Sequence, residues 1–384
     1  MMTALVLLCV CGADPALNLE DRLMAHVSVL AADSMEGRAL GTAGIGRAEA
    51  YLRGKMDTLG MIRPSWGGPD TVSLVPGPVV NVVGVMGPDT AVIVLCAHYD
   101  HLGLSPPDGE GIQQPFNGAH DNASGVAVVL EAIRLLHGSE LPVGVAVLFS
   151  SGEETGLMGA RGFLAGVDIG RIRGAICIDA VGHLDSTLLV IGGQGQPLLD
   201  SLAVGVLEGQ GITVQRVPAL ASGDHVAFLE RGVPALGFST GPHPLMNTVD
   251  DDAQTLDYQG LAVLTRATVD LVQAVAAFPG PFDTPPPPVL LESSPITRRV
   301  RFGTMPDFSY EGPGMRVAGV TPLSPADSSG IAAGDVLLQF GCDPITGAGG
   351  LARTLAGYAP GDTVRVEFLR GGVRCHVDAV LRER

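Results

Sequence analysis

The sequence is poor in basic residues: 23 lysines and arginines stand against 40 aspartates and glutamates, a formal net charge of −17. Phosphate backbones and anionic lipid surfaces repel a chain this acidic, so we expect neither nucleic acid nor an anionic membrane as a partner. After the first residues, no stretch reaches the roughly 18 uncharged apolar residues of a membrane-spanning helix. We therefore expect a globular protein without a membrane span.

Cysteine is also scarce, and the six cysteines form neither a metal-type pairing nor a legible disulfide framework. Two short catalytic motifs are missing as well, the His-Glu-x-x-His helix and the phosphate-binding Gly-x-x-x-x-Gly-Lys loop. These absences leave several clusters of carboxylates and histidines as the main candidate for a reactive site.

The chain divides into four parts. Residues 1–18 open with an apolar run followed by small residues, which is typical of a signal peptide, although a basic N-terminal region is lacking. This segment predicts secretion or export to the periplasm. Residues 19–278 form the main domain, 279–292 a proline-rich linker with four consecutive prolines, and 293–384 a small second domain.

Apolar runs of strand length alternate with helical patterns through the main domain. The predicted strands are 79–86, 91–97, 143–149, 174–178, 188–191 and 234–239, and the predicted helices are 19–30, 46–59, 122–137, 197–208, 225–231 and 258–278. This alternation predicts an α/β fold with a mainly parallel mixed sheet flanked by helices. The tail has three short alternating segments and one helix near 351–358, which predicts a small β-rich module.

Polar residues stand where several of these apolar runs end, the edge at which a parallel sheet presents its site. His98 and Asp100 follow one run, Glu153 and Glu154 follow another, and Asp179 ends a third. Asp121 and Asn122 stand at the start of a predicted helix that they can cap, and Asp121 can also bind a metal if only one of its carboxylate oxygens faces the backbone.

Each of these residue types suits a metal site. His98 can bind a metal while Asp100 accepts its other ring N–H. Of the adjacent glutamates, one can bind a metal while its neighbour takes a proton from water; the alternative is a solvated acidic pair. A carboxylate such as Asp179 at the end of a buried strand is costly unless it is paired or metal-bound. Together they predict zinc or a similar divalent ion, with a bridging carboxylate holding two ions roughly 3.5–4 Å apart.

Several ordered motifs over residues 19–275 resemble the co-catalytic di-zinc aminopeptidase family. They are Leu30-Ala-Ala-Asp-Ser-Met-Glu-Gly-Arg38, Asn81-Val-Val-Gly84, His98-Tyr-Asp-His-Leu-Gly103, Asp121-Asn-Ala-Ser-Gly125, Gly152-Glu-Glu-Thr-Gly156, Asp179 and Phe238-Ser-Thr-Gly-Pro-His243. The resemblance implies one zinc on His98 and Asp179, a second on Glu154 and a histidine, and Asp121 bridging both. It also implies Glu153 as general base and peptides with a free N-terminus as substrates.

One position departs from that family. Where the family has its last histidine ligand, Met246-Asn-Thr-Val-Asp-Asp251 puts Asn247, whose amide oxygen is a weaker zinc ligand than imidazole. Asn247 is the first candidate for this position and His243, four residues earlier, the second. The same departure keeps open a non-hydrolytic relative with one metal or none: a glutaminyl-cyclase-like transferase or a binding protein.

The tail resembles a PDZ domain through Ser324-Pro-Ala-Asp-Ser-Ser-Gly-Ile-Ala-Ala-Gly-Asp-Val-Leu337 and Pro360-Gly-Asp-Thr-Val364. The resemblance implies that the segment from Phe302 to Pro306 lies near a peptide groove, where a peptide or protein ligand adds as an extra strand. The alternative is a packing or tethering module without a ligand.

Overall fold

The structure is a computed structural model. It describes residues 17–66, 71–73, 78–107, 109–185, 187–217, 223–283, 299–307, 310, 312–321 and 324–383. Nearly all of the predicted signal peptide and most of the proline-rich linker lie outside these residues, so both remain predictions, as do the domain boundaries drawn around them.

In the main domain two helices and four strands come first, and strands and helices then largely alternate along the chain. The helices are α1 (Leu19–Leu30), α2 (Ala43–Thr58), α3 (Ser124–Leu136), α4 (Met158–Gly166), α5 (Pro197–Gly209), α6 (His225–Glu230), α7 (Tyr258–Ala277), α8 (Pro325–Ser329) and α9 (Ala348–Ala356). The strands are β1 (Thr71–Ser73), β2 (Pro78–Val80), β3 (Val82–Met86), β4 (Val92–His98), β5 (Gly144–Ser150), β6 (Ile172–Ile178), β7 (Thr187–Ile191), β8 (Thr213–Val217), β9 (Ala235–Ser239), β10 (Val300–Arg301), β11 (Thr304–Pro306), β12 (Met315–Val320), β13 (Val336–Phe340), β14 (Asp343–Pro344), β15 (Thr363–Arg370), β16 (Val373–Val380) and β17 (Arg382–Glu383).

A seven-stranded mixed sheet in the order β3-β5-β4-β6-β9-β7-β8 forms the centre of the main domain. β4 runs parallel to both β5 and β6, and β6 runs parallel to β9, whereas β3 and β7 pair antiparallel with their neighbours β5 and β9. All seven residues of β4 and of β5 are buried because helices cover both faces of the sheet. The predicted mainly parallel mixed sheet is confirmed.

Two hydrophobic cores lie on the two faces of this sheet. One packs α1, α3 and α7 against it, with Leu95, Ile133 and Leu271 all fully buried. The other packs α4 and α6 against the opposite face, around Phe163 and Phe228. α7 is the one described helix that is long and apolar enough to cross a membrane, but 56% of that stretch is buried inside the protein, as in a core helix.

The start of α3 differs from its predicted start at residue 122. The helix begins at Ser124, and it is the Asn122 side chain that accepts a hydrogen bond from the Gly125 N–H at 3.0 Å. The Asp121 carboxylate makes no capping bond to the helix and faces His98 instead. Of the two readings of Asp121, the helix cap is therefore wrong.

The predicted strand 79–86 is interrupted at Asn81. Its side chain donates to the Gly159 carbonyl at 2.9 Å and accepts from the Ser151 N–H at 3.2 Å, which ties the segment between β2 and β3 to α4 and to the loop after β5. Sequence patterns also missed α4, β8 and β16, whose apolar spacing is short or irregular.

The C-terminal residues form a separate small antiparallel sheet in the order β11-β12-β13-β15-β16, with the short strand β14 beside β13. Its core includes Phe302, Leu337, Phe340 and Phe368, all nearly fully buried. The prediction of a small β-rich module is confirmed. β11 lies at one edge of the sheet and pairs with β12 alone among the described strands.

Candidate metal centre

The site lies where parallel strands of the main sheet end together. β4 ends at His98, β5 at Ser150 and β6 at Ile178, and these three strands are adjacent in the sheet. Residues that follow parallel neighbours meet at one edge, which brings the Glu153–Glu154 turn and Asp179 close to His98. The juxtaposition thus follows from strand order and direction.

The first group of possible metal ligands is His98, Asp121 and Asp179. The His98 Nε2 atom hydrogen-bonds Asp179 Oδ1 at 3.1 Å and lies 3.2 Å from Asp121 Oδ1, a contact that lacks hydrogen-bond geometry. Ligands of a tetrahedral zinc ion with bonds near 2.05 Å lie about 3.3 Å apart. The spacing and chemistry of these donors therefore fit a zinc ion.

The second group is His101, Asp121 and Glu154. The His101 Nδ1 atom lies 2.9 Å from Glu154 Oε1, and the imidazole is fully buried. Its ring packs against the backbone of Gly118, where an added Cβ atom would strike it. Asp121 belongs to both groups, which suits a carboxylate that bridges two ions.

Sequence reasoning missed His101, although the chain carries a signal for it. His98 and His101 stand three residues apart in His98-Tyr-Asp-His101, a spacing that can serve two neighbouring sites. The backbone at His101 is held by Arg38, whose carbonyl accepts a hydrogen bond from the His101 N–H at 3.2 Å. The direction of the His101 side chain therefore depends on a segment that lies 63 positions earlier in the chain.

Asp100 supports the site in a different way from the one predicted. The His98 Nδ1–H donates to the Asp100 backbone carbonyl at 3.2 Å, whereas the carboxylate is 3.7 Å away, too far for a hydrogen bond. The Asp100 carboxylate instead accepts from the Glu153 N–H at 3.2 Å. Asp100 thus fixes His98 through its main chain and the Glu153 turn through its side chain.

Glu153 lies on the turn after β5, next to both groups. Its Oε1 atom accepts a hydrogen bond from the Gly223 N–H at 3.2 Å. Burial raises the pKa of Glu153 well above its usual value; His98 opposes this shift, and the charges of Asp179 and Glu154 add to it. A raised pKa favours the protonated form of a carboxyl group, which is the form that a general base takes after accepting a proton.

The site gathers several buried carboxyl groups whose charged forms are disfavoured by burial. Burial raises the pKa of Asp100 and of Asp251 to about 6 and also raises that of Asp179. Burial by itself would lower the pKa of His98. The charge of Asp179 and the interactions with Asp121 have the larger effect, so the pKa of this histidine is raised well above its usual value. A cluster of buried carboxylates needs cationic partners, so the charge of the site also fits metal ions.

Arg38 is the buried protein cation beneath this cluster. Its guanidinium donates to the carbonyls of Tyr99, Asn117 and Gly118 at 2.9, 2.7 and 3.0 Å. Burial lowers its pKa to about 10, against the pull of carboxylates that include Asp121. Arg38 thereby joins the two ends of the loop that carries His101.

Replacing Arg38 with methionine is expected to lower the free energy of unfolding by about 3–5 kcal/mol, because the buried carbonyls that accept hydrogen bonds from Arg38 would lose their donor. Urea denaturation followed by circular dichroism measures the change. The matched control is Arg161→Met, which breaks a half-exposed pair with Glu230 and is expected to cost about 0–1 kcal/mol. Equal losses in the two variants would contradict the structural role of Arg38.

The two candidates for the family's last histidine have different surroundings. Asn247 lines a neighbouring cavity together with His98 and Asp179, and its buried Oδ1 atom has no hydrogen-bond partner in the described part of the chain. The His243 ring instead stacks on His183 with centroids 3.5 Å apart, and neither ligand group contains it.

The sequence Gly237-Phe-Ser-Thr-Gly241 has the spacing of a serine-hydrolase elbow but not its structure. The Ser239 hydroxyl donates to the Ala180 carbonyl at 3.3 Å and accepts from the Gly241 N–H at 3.1 Å. No described histidine hydrogen-bonds it, so this motif carries no nucleophile of the Ser-His type.

A cavity of about 260 Å³ opens beside the first group. His98, Asp179, Asp224 and Asn247 contribute polar groups to it, and Leu189, Ile191 and Phe238 contribute apolar ones. The wall is completed by Thr304, Met305 and Pro306, which are the three residues of β11 in the C-terminal domain. The cavity is therefore lined by both parts of the chain.

The fold and the site define an α/β domain with a candidate metal centre, followed by a small antiparallel β domain. The sequence model of peptidase family M28 matches residues 81–272, half of the chain, and the PDZ domain model matches residues 300–381. The chain belongs to peptidase family M28 and carries a C-terminal PDZ domain.

Two curated proteins are similar to parts of this chain. The uncharacterized protein YfbL of Escherichia coli is 25% identical over 239 residues, which cover 52% of this chain and 72% of YfbL. The protein named "Probable lipoprotein aminopeptidase LpqL" of Mycobacterium tuberculosis is 28% identical over 174 residues, 40% of this chain and 33% of LpqL.

Solved structures share the fold at low sequence identity. The LapA aminopeptidase of Legionella pneumophila superposes with a TM-score of 0.57 at 17% identity, covering 67% of this chain and 72% of LapA. The glutaminyl cyclase of Porphyromonas gingivalis superposes with a TM-score of 0.56 at 21% identity, covering 66% of this chain and 97% of the cyclase. A Zn-dependent exopeptidase from Parabacteroides distasonis gives a TM-score of 0.57 at 17% identity, with coverages of 66% and 97%.

Proposed function

We propose that this protein is a zinc-dependent aminopeptidase that removes N-terminal residues from peptides. The observation that carries this proposal is the pair of ligand groups sharing Asp121, with Glu153 beside them. Membership of peptidase family M28 supports hydrolysis of peptides, and the aminopeptidases among the relatives and structural neighbours support action at the N-terminus.

Two zinc ions would be held by the described ligand groups. His98 and Asp179 would hold one ion, Glu154 would hold the other, and Asp121 would bind both. When bound, such ions lower the pKa of a water molecule and polarise the carbonyl of the peptide bond. The remaining carboxylates near the ions would hold the free α-amine of the substrate, which limits the enzyme to one residue at a time.

Glu153 would serve as the general base. Its carboxylate would take a proton from the attacking water and then deliver it to the amine that leaves. The Gly223 N–H bond to Oε1 and the Asp100 bond to the Glu153 N–H would keep the carboxylate pointed at the reacting atoms during both transfers. The raised pKa of Glu153 suits this alternation, since the group must both accept and release the proton.

We further propose that His101 supplies the imidazole that the second ion would otherwise lack. The family resemblance calls for a histidine beside Glu154, and this chain has Asn247 where the resemblance expects it. His101 Nδ1 is 2.9 Å from Glu154 Oε1, and its buried Nε2 has no hydrogen-bond partner among the described residues. Asn247 remains the alternative ligand, as a neutral and weaker donor.

A second candidate function is that of a glutaminyl-cyclase-like transferase. Asn247 favours it, because the loss of one ligand is what a site with a single metal would display. The similarity of the fold to glutaminyl cyclases gives it further support. The two candidates differ in the number of metal ions and in the fate of a substrate with an N-terminal residue other than glutamine.

We also propose an extracytoplasmic location, with residues 1–18 as signal peptide, 279–292 as linker and residues 293–384 as a PDZ domain that binds a peptide or protein ligand. The apolar N-terminus and the relative named as a lipoprotein support export. PDZ domains commonly add a peptide as an extra strand, which supports a peptide ligand.

Metal content and peptidase activity together test the proposed function. We expect about two zinc ions per chain by elemental analysis, and release of p-nitroaniline from a panel of aminoacyl-p-nitroanilides that stops with a chelator and returns with zinc or cobalt. One ion with cyclisation of glutaminyl peptides and no hydrolysis would instead support the transferase.

A further inference from the structure

We propose that β11 of the C-terminal domain is part of the substrate site and pairs with the peptide beyond its first residue. This inference rests on the proposed aminopeptidase function and adds a length requirement to it. The occupant of the strand's open edge would be the substrate itself, held as an additional β-strand while its N-terminus lies at the metal ligands.

The first observation is the position of β11 at the cavity. Thr304, Met305 and Pro306 line the same cavity of about 260 Å³ as His98 and Asp179. A peptide whose first residue reaches these ligands must leave the cavity along its walls, and β11 forms one of them. A contact between the rest of the peptide and β11 therefore requires no rearrangement of the chain.

The second observation is the direction of the strand's hydrogen-bonding groups. The Gly303 carbonyl accepts from the Thr321 N–H at 2.8 Å, and the Asp307 N–H donates to the Arg316 carbonyl at 2.7 Å, so both of these groups face the β12 side. Because these directions alternate along a strand, the N–H and carbonyl of Thr304 face the opposite edge. That edge has no neighbour among the described strands.

The third observation is the Thr304 side chain. Its hydroxyl oxygen is buried and has no hydrogen-bond partner in the described parts of the chain. Most buried hydroxyl groups in proteins are satisfied, so an unpaired one beside the substrate cavity calls for a partner that the described residues do not supply. A peptide main chain offers both the donors and the acceptors that Thr304 lacks.

The length of β11 sets the length of peptide that it can hold. The strand has three residues, and a strand rises about 3.3 Å per residue, so it spans about 10 Å and pairs with about three residues of substrate. Pro306 has no N–H and belongs on an edge strand, which leaves Thr304 as the main donor for the peptide. Substrates with at least three residues after the scissile bond should gain most.

The test compares alanine p-nitroanilide, dialanine and tetraalanine as substrates of the full chain. We expect kcat/KM for tetraalanine to exceed that for dialanine about tenfold, mainly through a lower KM, since two main-chain hydrogen bonds supply that factor. Thr304→Pro removes the outward N–H but keeps the outward carbonyl, so it should lower the tetraalanine-to-dialanine ratio from about tenfold to about threefold. Thr304→Val keeps the N–H, loses only the hydroxyl, and should retain most of the ratio.

N-methylated substrates test the same contacts without changing the protein. In the wild-type enzyme, tetraalanine methylated on the third or fourth backbone nitrogen should lose at least fivefold in kcat/KM at one of the two positions. An unchanged ratio in a folded Thr304→Pro variant, or no loss with either methylated peptide, would overturn the proposal. A faster Thr304→Pro variant on all three substrates would also overturn it, because β11 would then obstruct the site.

The same experiments separate this inference from the proposed function. If the wild-type enzyme releases neither p-nitroaniline nor alanine from any of these substrates, the aminopeptidase function itself fails. If it hydrolyses alanine p-nitroanilide and dialanine as well as tetraalanine, only the role of β11 fails.

Discussion

Replacing Glu153 with glutamine is expected to lower kcat by about 10²–10⁴-fold, the usual contribution of a general acid–base group, while the metal content stays unchanged. The amide keeps the size of the carboxylate and can still accept the hydrogen bond from the Gly223 N–H, so the turn after β5 should keep its shape. It cannot take a proton from water at neutral pH. The measurements are kcat on the best p-nitroanilide of the panel and zinc per chain by elemental analysis.

The matched control for this variant is Glu140→Gln, an exposed glutamate in the loop before β5. It makes the same chemical change away from the site, and its kcat should equal that of the wild type. A Glu153→Gln enzyme with kcat within a few fold of the wild type would mean that another group is the base. A loss of zinc along with activity would assign Glu153 to metal binding instead.

Replacing His101 with alanine is expected to weaken binding of the second zinc ion by more than about 100-fold. Removing a residue that merely orients a ligand costs 10–100-fold in metal affinity, so removing a ligand should cost more. Calorimetric zinc titration of the metal-free protein would then show one tight site in place of two. The control is His137→Ala, an exposed histidine after α3, which should keep both sites.

Asn247→His discriminates between the two candidate ligands of the second ion. If position 247 faces this ion, the new imidazole should tighten the second site and should restore it in the double variant with His101→Ala. If the single variant leaves both affinities unchanged while His101→Ala removes one ion, His101 is the ligand and Asn247 lies outside the coordination shell. Two tight sites in His101→Ala would contradict the assignment of His101.

Much of the fold could be predicted because its signals are local. The helix predicted at 19–30 is α1, with Asn18 accepting a hydrogen bond from the Asp21 N–H as its N-cap. β4 lies within one residue of its predicted bounds because a strand buried on both faces needs a continuous apolar run. β8 was missed because only one of its five residues is buried, which leaves little apolar pattern to read.

Most residues proposed for the site could also be named from the sequence, since a polar residue directly after a buried strand is conspicuous. His98 and Asp179 are of this kind, and the structure brings them within 3.1 Å. Asp100 was named as well, but its contact could not be foreseen. Whether a carboxylate or a carbonyl meets the His98 ring depends on a turn of two residues, which the sequence pattern does not resolve.

By itself, the sequence determined the mainly parallel mixed sheet, the edge at which the polar residues gather, the likeness to a metallopeptidase family and the presence of a second domain. These follow from apolar periodicity and short motifs, which depend on neighbouring residues. Only the tertiary structure brought His101 against Glu154, which lies 53 positions later in the chain. The tertiary structure alone also placed β11 in the wall of the cavity. Such contacts depend on the path of whole segments, here a loop held by Arg38 and Gly118, and no local pattern encodes that path.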